Sequence, residues 1–264
     1  MVGGSRRAKR AGKSLEWSDF RPYSAGDELK RIDFKAYARL KKLYIKVYEE
    51  EEEGNFVLLL DRSRSMDFGE PGKLEWAKKI LALLSFIILN QGERFVFLPL
   101  PLDGEKPLFL NTRGMFPYFE DYLWKLQPSG IFPANDEFRD HLDGLPFKGG
   151  AYLISDLYLD GEMSSYFRTL KLHSLAFTIL GVLSPQELEP PAEGEVQLQD
   201  MEKEETLSYL FYDETIEKYR ERLNLFLKRI GEEVVKLGGK HLILRSDLGE
   251  EGLLLTLLRA VVMV

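Results

Sequence analysis

Phe56-Val57-Leu58-Leu59-Leu60-Asp61-Arg62-Ser63-Arg64-Ser65-Met66 runs five apolar residues straight into an aspartate, then sets two hydroxyls at two-residue intervals. An apolar run of this length, closed by a polar turn, predicts a strand buried on both faces, as in a parallel sheet. Ligands of open α/β sheets bind outside the carboxyl ends of such strands. Asp61 is expected at that end, with Ser63 and Ser65 in the loop beyond. One carboxylate and two hydroxyls form a hard, all-oxygen set of the kind Mg²⁺ prefers. The alternative is that Asp61 and the serines cap the helix that follows.

Working outward, the pattern alternates between strand and helix. Leu74, Ala77, Ile80, Leu81, Leu84, Ile87 and Ile88 recur at helical spacing between Pro71-Gly72 and Gly92, which predicts a helix over 73–90. Phe95-Val96-Phe97-Leu98 reads as a strand, with 106–110 as its hairpin partner across Asp103-Gly104. Helices are expected over 116–126 and 136–142. Ala151-Tyr152-Leu153-Ile154-Ser155-Asp156 repeats the opening pattern, an apolar strand ending in a hydroxyl and a carboxylate. Residues 175–180 form a further central strand, and 185–195 a proline-bearing loop. Short strands near 196–198 and 206–210, a long helix over 214–236, a strand at 241–244 and a helix over 251–261 complete the chain. Strands separated by helices imply an α/β fold with a doubly wound, mainly parallel sheet.

The 264 residues, 44% of them hydrophobic, suffice for one large core with an appendage. There is no cysteine, so disulfides and thiolate–metal sites are excluded. The densest apolar stretch, 80–89, is ten residues long and contains Ser85, too short for a bilayer span. The first residues carry Arg6, Arg7, Lys9, Arg10 and Lys13 and no apolar core of a secretory signal, so a cytoplasmic location is expected. The net charge of −7 hides an asymmetry: residues 1–48 hold 13 Lys/Arg and 5 Asp/Glu. A basic arm of this kind can serve nucleic acid. Here the acidic run 49–53 and the lack of a stacking pattern favour protein contact, and no nucleic-acid partner is expected. The expected organisation is a disordered basic arm over 1–16, a β-rich appendage over 17–53 and an α/β domain over 54–264. Within the appendage, Arg21, Tyr23, Asp27, Arg31, Asp33 and Arg39 form either a partner-facing surface or an internal ion-pair network.

The order Arg21-x-Tyr23, Gly26-Asp27, Ile32-Asp33, Ala38-Arg39, a strand ending in acids, then Asp61-x-Ser63-x-Ser65-Met66 resembles one family. It is the von Willebrand A-like family associated with MoxR-type AAA+ ATPases, domain-of-unknown-function family fifty-eight, and the chain is similar to its short subgroup without membrane spans. The resemblance implies a metal-ion-dependent adhesion site, with Asp61, Ser63 and Ser65 on the first loop and Asp156 on the third. Such a site would hold Mg²⁺ as its cofactor and leave one position for a partner's carboxylate. The second loop, which carries a threonine in the family, falls near 128–133, where Ser129 is the available hydroxyl. The implied partners are a MoxR-type AAA+ ATPase and a client protein, in complex maturation or assembly.

Enzyme motifs fare poorly. A haloacid-dehalogenase-like phosphotransferase needs a second acid where Ser63 stands. A calcium-binding EF-hand loop counted from Asp61 needs Gly and Glu where Met66 and Gly72 stand. The sequence holds no Gly-x-Ser-x-Gly elbow, P-loop or His-Glu-x-x-His, and His141, His173 and His241 lie far apart. The expectation is a non-catalytic adaptor. Its alternative is a metal-dependent hydrolase or phosphotransferase using the same carboxyl-end cleft.

Overall fold

The structure is a computed structural model that describes residues 17–22, 44–48, 55–145, 149–159, 161–190, 194–199, 206–211 and 213–257. The chain divides into two compact units, 1–53 and 54–264. In the first, β1 (Trp17–Pro22) pairs antiparallel with β2 (Tyr44–Tyr48). Arg21 lies on β1; Tyr23, Asp27, Arg31, Asp33 and Arg39 lie outside the described residues.

The second unit is a doubly wound α/β domain. Its elements are β3 (Asn55–Asp61), α1 (Lys73–Asn90), β4 (Arg94–Leu100), β5 (Leu108–Leu110), α2 (Phe116–Lys125), α3 (Asn135–Asp143), β6 (Gly150–Ser155), α4 (Met163–His173), β7 (Ala176–Leu183), α5 (Pro185–Leu188), β8 (Gly194–Gln199), β9 (Thr206–Phe211), α6 (Asp213–Lys236), β10 (Lys240–Arg245) and α7 (Glu250–Leu257). The sheet order is β10-β7-β6-β3-β4-β5. All neighbours are parallel except β5, which runs antiparallel to β4. β8 and β9 form a separate antiparallel pair.

β3 shows why the apolar run is uninterrupted. Leu58 and Leu60 pack on one face with Ile80, Leu84 and Phe119, while Val57 and Leu59 pack on the other with Phe138, Phe167 and Val234. Helices α1 and α2 cover one side of the sheet, and α3, α4 and α6 cover the other. Each inward side chain removed from water contributes ~1.5–3 kcal/mol, so neither face of β3 tolerates a polar residue.

Two segments depart from the sequence reading. Residues 163–173 form α4, which the periodicity did not declare because Ser164 and Thr169 share its buried face with Tyr166, Phe167 and Leu170. The expected loop at 185–195 begins with a short helix, α5, whose start carries a capping box. The Ser184 side chain accepts from the Glu187 amide, and the Glu187 carboxylate accepts from the Ser184 amide at 2.6 Å.

The strand order fixes where a site can form. From β3 the chain moves outward to β4 and β5, then returns past β3 to β6 on its other side. Strand order therefore reverses between β3 and β6, and the carboxyl ends of two strands so placed are where sheets of this kind bind their ligands. Asp61 ends β3, and Ser155 ends β6 with Asp156 directly after it.

Candidate functional site at the carboxyl end of the sheet

Asp61 is fully buried and collects three donors. Its Oδ1 accepts from the Ser63 amide at 2.9 Å and the Ser63 hydroxyl at 2.6 Å. Its Oδ2 accepts from the Ser155 hydroxyl at 2.6 Å. Ser63 Oγ lies 3.0 Å from Ser65 Oγ. A serine hydroxyl has one proton, and with Asp61 ionised that of Ser63 goes to the carboxylate, so Ser65 is then the donor in that pair. The hydroxyls form a directed relay, Ser65 to Ser63 to Asp61, which leaves lone pairs on Ser63 and Ser65 for another ligand.

This geometry decides against capping. Ser63 stands at the N-cap of a 3-10 turn, Arg64–Asp67, but makes no side-chain cap hydrogen bond. The N-cap of α1 is Gly72. The serines serve Asp61.

Asp156 is equally buried but differently satisfied. Its Oδ2 accepts from Lys73 Nζ at 2.8 Å, and its Oδ1 from the Tyr158 amide at 3.1 Å. Ser155 Oγ accepts from the Leu157 amide at 2.9 Å. Leu157, between them, has φ +70°, a left-handed conformation that costs a branched side chain ~1–2 kcal/mol. The two side-chain-to-backbone bonds hold that turn in place.

Lys73, the first residue of α1, is only 1% exposed. Besides Asp156 it donates to Glu187 Oε1 at 2.6 Å, and its ammonium lies 5.6 Å and 5.5 Å from the ring centroids of Phe68 and Tyr158. Burial works against this ammonium, but Asp156 and Glu187 together outweigh it and hold its pKa above the usual lysine value. Burial first, then the charge of Asp156, push the Asp61 carboxyl up to about 7, despite the opposing hydrogen bonds from Ser155 and Ser63. Neither Lys73 nor Glu187 was singled out from the sequence. A lone charged residue is exposed by default, and the partners of Lys73 lie 83 and 114 positions away.

The second loop sits against the first through its backbone. The Ser129 amide donates to the Arg62 carbonyl at 2.7 Å, and the Arg64 amide donates to the Gly130 carbonyl at 3.1 Å. The Ser129 hydroxyl is given to Asp103, on a side chain 45% exposed. Arg62, 6% exposed, braces the same junction by donating to the carbonyls of Pro101 (2.9 Å), Leu102 (3.2 Å) and Gln127 (3.3 Å). Gly69 has φ +98°, and a Cβ there would clash with the Ser184 Cβ. Gly69→Ala combines a disfavoured backbone with a clash at the Glu187 capping box. It is expected to lower stability by ~2–4 kcal/mol in urea unfolding, and an unchanged midpoint would show that this loop is not fixed.

The residues can be tested against Mg²⁺. At Mg–O distances of about 2.0–2.1 Å, neighbouring octahedral ligands lie about 2.8–3.0 Å apart. The Ser63–Ser65 pair, at 3.0 Å, has that spacing. Counted fully ionised, Asp61, Asp156 and Glu187 against Lys73 leave two negative charges, which one divalent ion balances. Among the described residues no group of three or more His, Cys, Asp and Glu is placed to hold a metal; the residues that would hold one here are the Ser63 and Ser65 hydroxyls, with the Asp61 carboxylate bonded to Ser63. On spacing and charge the set fits.

Comparison with known proteins gives the following. No curated protein sequence matches the chain. Among solved structures, the conserved hypothetical protein BatB from Bacteroides thetaiotaomicron is 15% identical with a TM-score of 0.40, over 70% of this chain and 98% of its own. An aerotolerance-related membrane protein from Bacteroides fragilis NCTC 9343 is 15% identical with a TM-score of 0.41, over 69% and 99%. Proximal thread matrix protein 1 from the mussel byssus is 14% identical with a TM-score of 0.36, over 49% and 38%. At such scores the likenesses bear on neither site nor function. Among the described residues of this chain, no helix is long and apolar enough to cross a membrane. The model of one family, the protein of unknown function DUF58, matches residues 19–114, a stretch that includes the Asp61–Ser65 loop and Lys73 and ends before Asp156.

Proposed function

We propose that the chain is a non-catalytic protein-binding module that captures a partner's carboxylate at the Ser63–Ser65 hydroxyl pair with the help of Mg²⁺. The carrying observation is that pair: two hydroxyls at the spacing of adjacent Mg²⁺ ligands, both donating inward, at the switch point of a doubly wound sheet. A bound Mg²⁺ would supply a Lewis-acidic position for an incoming carboxylate. The chain's own residues do the rest. Ser63 and Ser65 offer lone pairs, Asp61 orients both hydroxyls, Ser155 orients Asp61, and the bonds from Ser129 and Arg64 keep the loops in register. The family resemblance supports a MoxR-type AAA+ ATPase as the partner and assembly or maturation of a client protein as the task.

The test is binding of the purified chain to the MoxR-type ATPase of its own source, with Mg²⁺ and with chelator. Ser65 is half-buried and outside the core, so Ser65→Ala should keep the wild-type melting temperature within about 1 °C. It should lose on the order of tenfold or more in Mg²⁺-dependent affinity, as expected for a lost ligand contact. Binding indifferent to both chelator and Ser65→Ala would remove this reading.

One observation favours a second reading. A carboxyl pushed up to about 7 and bonded to a hydroxyl is poised for proton transfer near neutral pH. A metal-dependent hydrolase or phosphotransferase would use Asp61 in that way. Phosphoester turnover with Mg²⁺ that disappears in Asp61→Ala would establish it in place of the adaptor.

A further inference from the structure

We propose that Lys73 is a resident cation of this site, which takes up part of the negative charge a divalent ion would otherwise meet and so holds its metal affinity down. The inference rests on the Mg²⁺-assisted reading above and assigns to Lys73 the regulation of that site.

Three features separate Lys73 from an ordinary surface ion pair. Its side chain is 1% exposed, and Asp156 beside it is fully buried. Its two partners come from different crossovers: Asp156 follows β6, Glu187 lies in α5 after β7, and Lys73 itself opens α1 after β3. One ammonium thus ties together three loops at the carboxyl end of the sheet, including the loop of Ser63 and Ser65. It also faces the rings of Phe68 and Tyr158, which shield it from water and favour a cation at that point.

The electrostatic consequence follows from charge and burial. Asp156 directly follows Ser155, whose hydroxyl binds Asp61, and Lys73 already holds one of the Asp156 oxygens at 2.8 Å. A divalent ion entering the site meets that ammonium as a like charge among buried groups, where Coulomb terms are screened less than in water. With Lys73 present, the fully ionised cluster offers two negative charges; without it, three. Affinity should rise when the ammonium is removed and fall when one of the carboxylates is neutralised. Glu187 allows the second change without touching Asp61, Asp156 or either serine.

The experiment is calorimetric titration of Mg²⁺ and Mn²⁺ into the full chain, with thermal unfolding in chelator and in excess Mg²⁺. Wild type, Lys73→Met, Lys73→Arg and Glu187→Gln are compared. Lys73→Met should bind the divalent ion on the order of tenfold or more tightly than wild type, and Mg²⁺ should raise its melting temperature by more than it raises that of wild type. Lys73→Arg keeps the charge and should retain the wild-type affinity. Should Lys73→Met fail to fold, Lys73→Gln, which keeps a donor to Asp156 and removes the charge, takes its place and should bind Mg²⁺ on the order of tenfold more tightly than wild type, while Glu187→Gln should lose on the order of tenfold. Equal affinities across all the variants overturn the role of Lys73 while leaving the metal-assisted site intact. No divalent binding in any of them overturns both.

Discussion

Lys73→Met, measured by urea unfolding at pH 7 in chelator, should lose ~3–5 kcal/mol, the range for breaking a buried ion pair by removing one partner. The side chains are similar in length, so methionine can take the place of the lysine beside the Phe68 and Tyr158 rings. What disappears is the donor to Asp156 Oδ2 at 2.8 Å and to Glu187 Oε1 at 2.6 Å. Asp156 cannot turn to solvent, being fully buried with its other oxygen held by the Tyr158 amide. Glu187, with a side chain 11% exposed, can recover some hydration. The loss therefore centres on Asp156, and adding Asp156→Asn to Lys73→Met should recover a large share of it. A Lys73→Met protein within about 1 kcal/mol of wild type would mean that water reaches these carboxylates and that the pair behaves as an exposed one.

That dependence on distant partners explains which parts of the molecule were legible in its sequence. Elements declare themselves through local period. Leu74, Ala77, Ile80, Leu81, Leu84 and Ile88 mark α1 because every one of them faces the core, and its bounds match the expected 73–90. The twin strands β3 and β6 announce themselves by apolar runs ending in polar residues, and the sheet sets them side by side. In α4 the code is blurred by Ser164 and Thr169 on the buried face. Ser184-Pro185-Gln186-Glu187 is a different case, since its Ser-x-x-Glu spacing is a readable helix start within a segment expected to be loop.

At the carboxyl end of the sheet the sequence marks Asp61, Ser63, Ser65 and Asp156 as candidates, because they stand where apolar runs stop; Ser155, whose hydroxyl binds Asp61, it marks only as the end of a strand. It could not supply the ammonium that binds Asp156, because a lysine one residue past a Pro-Gly turn has no local mark of burial. Nor could it show that the Ser129 hydroxyl is given to Asp103 while its amide holds the Asp61 loop. The Arg21–Arg39 group lies outside the described residues apart from Arg21, whose strand pairs with β2. A partner-facing role for it remains a proposal, checked by Arg21→Ala. If that role holds, the substitution should weaken binding to the ATPase proposed above while leaving the melting temperature within about 1 °C, as for surface changes generally.

The second large effect concerns pH and Asp61. Burial and the neighbouring Asp156 push its carboxyl up to about 7 in the folded chain, while in the unfolded chain it titrates near 3.8. Between those values the folded state holds a proton that the unfolded state has released, so stability falls as pH rises. The contribution is fully present below about pH 3.8 and gone above about pH 7. A shift of this size corresponds to roughly 4 kcal/mol. Asp61→Asn removes the titration. Asparagine can still accept from the Ser63 amide and hydroxyl through its carbonyl, but its amide must donate where Ser155 once donated, which costs ~1–3 kcal/mol if Ser155 cannot reorient. That penalty is independent of pH and shifts the whole curve. The decisive quantity is therefore the difference in unfolding free energy between wild type and Asp61→Asn, followed from pH 4 to pH 8 in chelator. It should move in favour of the variant by several kcal/mol across that window, steepest below pH 7. Carboxylates that do not interact with Asp61 titrate alike in both proteins and cancel in the difference. Parallel curves would show that Asp61 is ionised throughout, with its three donors outweighing burial. Added Mg²⁺ offers an independent check, because a divalent ion stabilises the carboxylate form. In excess Mg²⁺ the wild-type decline toward pH 8 should flatten, whereas Asp61→Asn should change little.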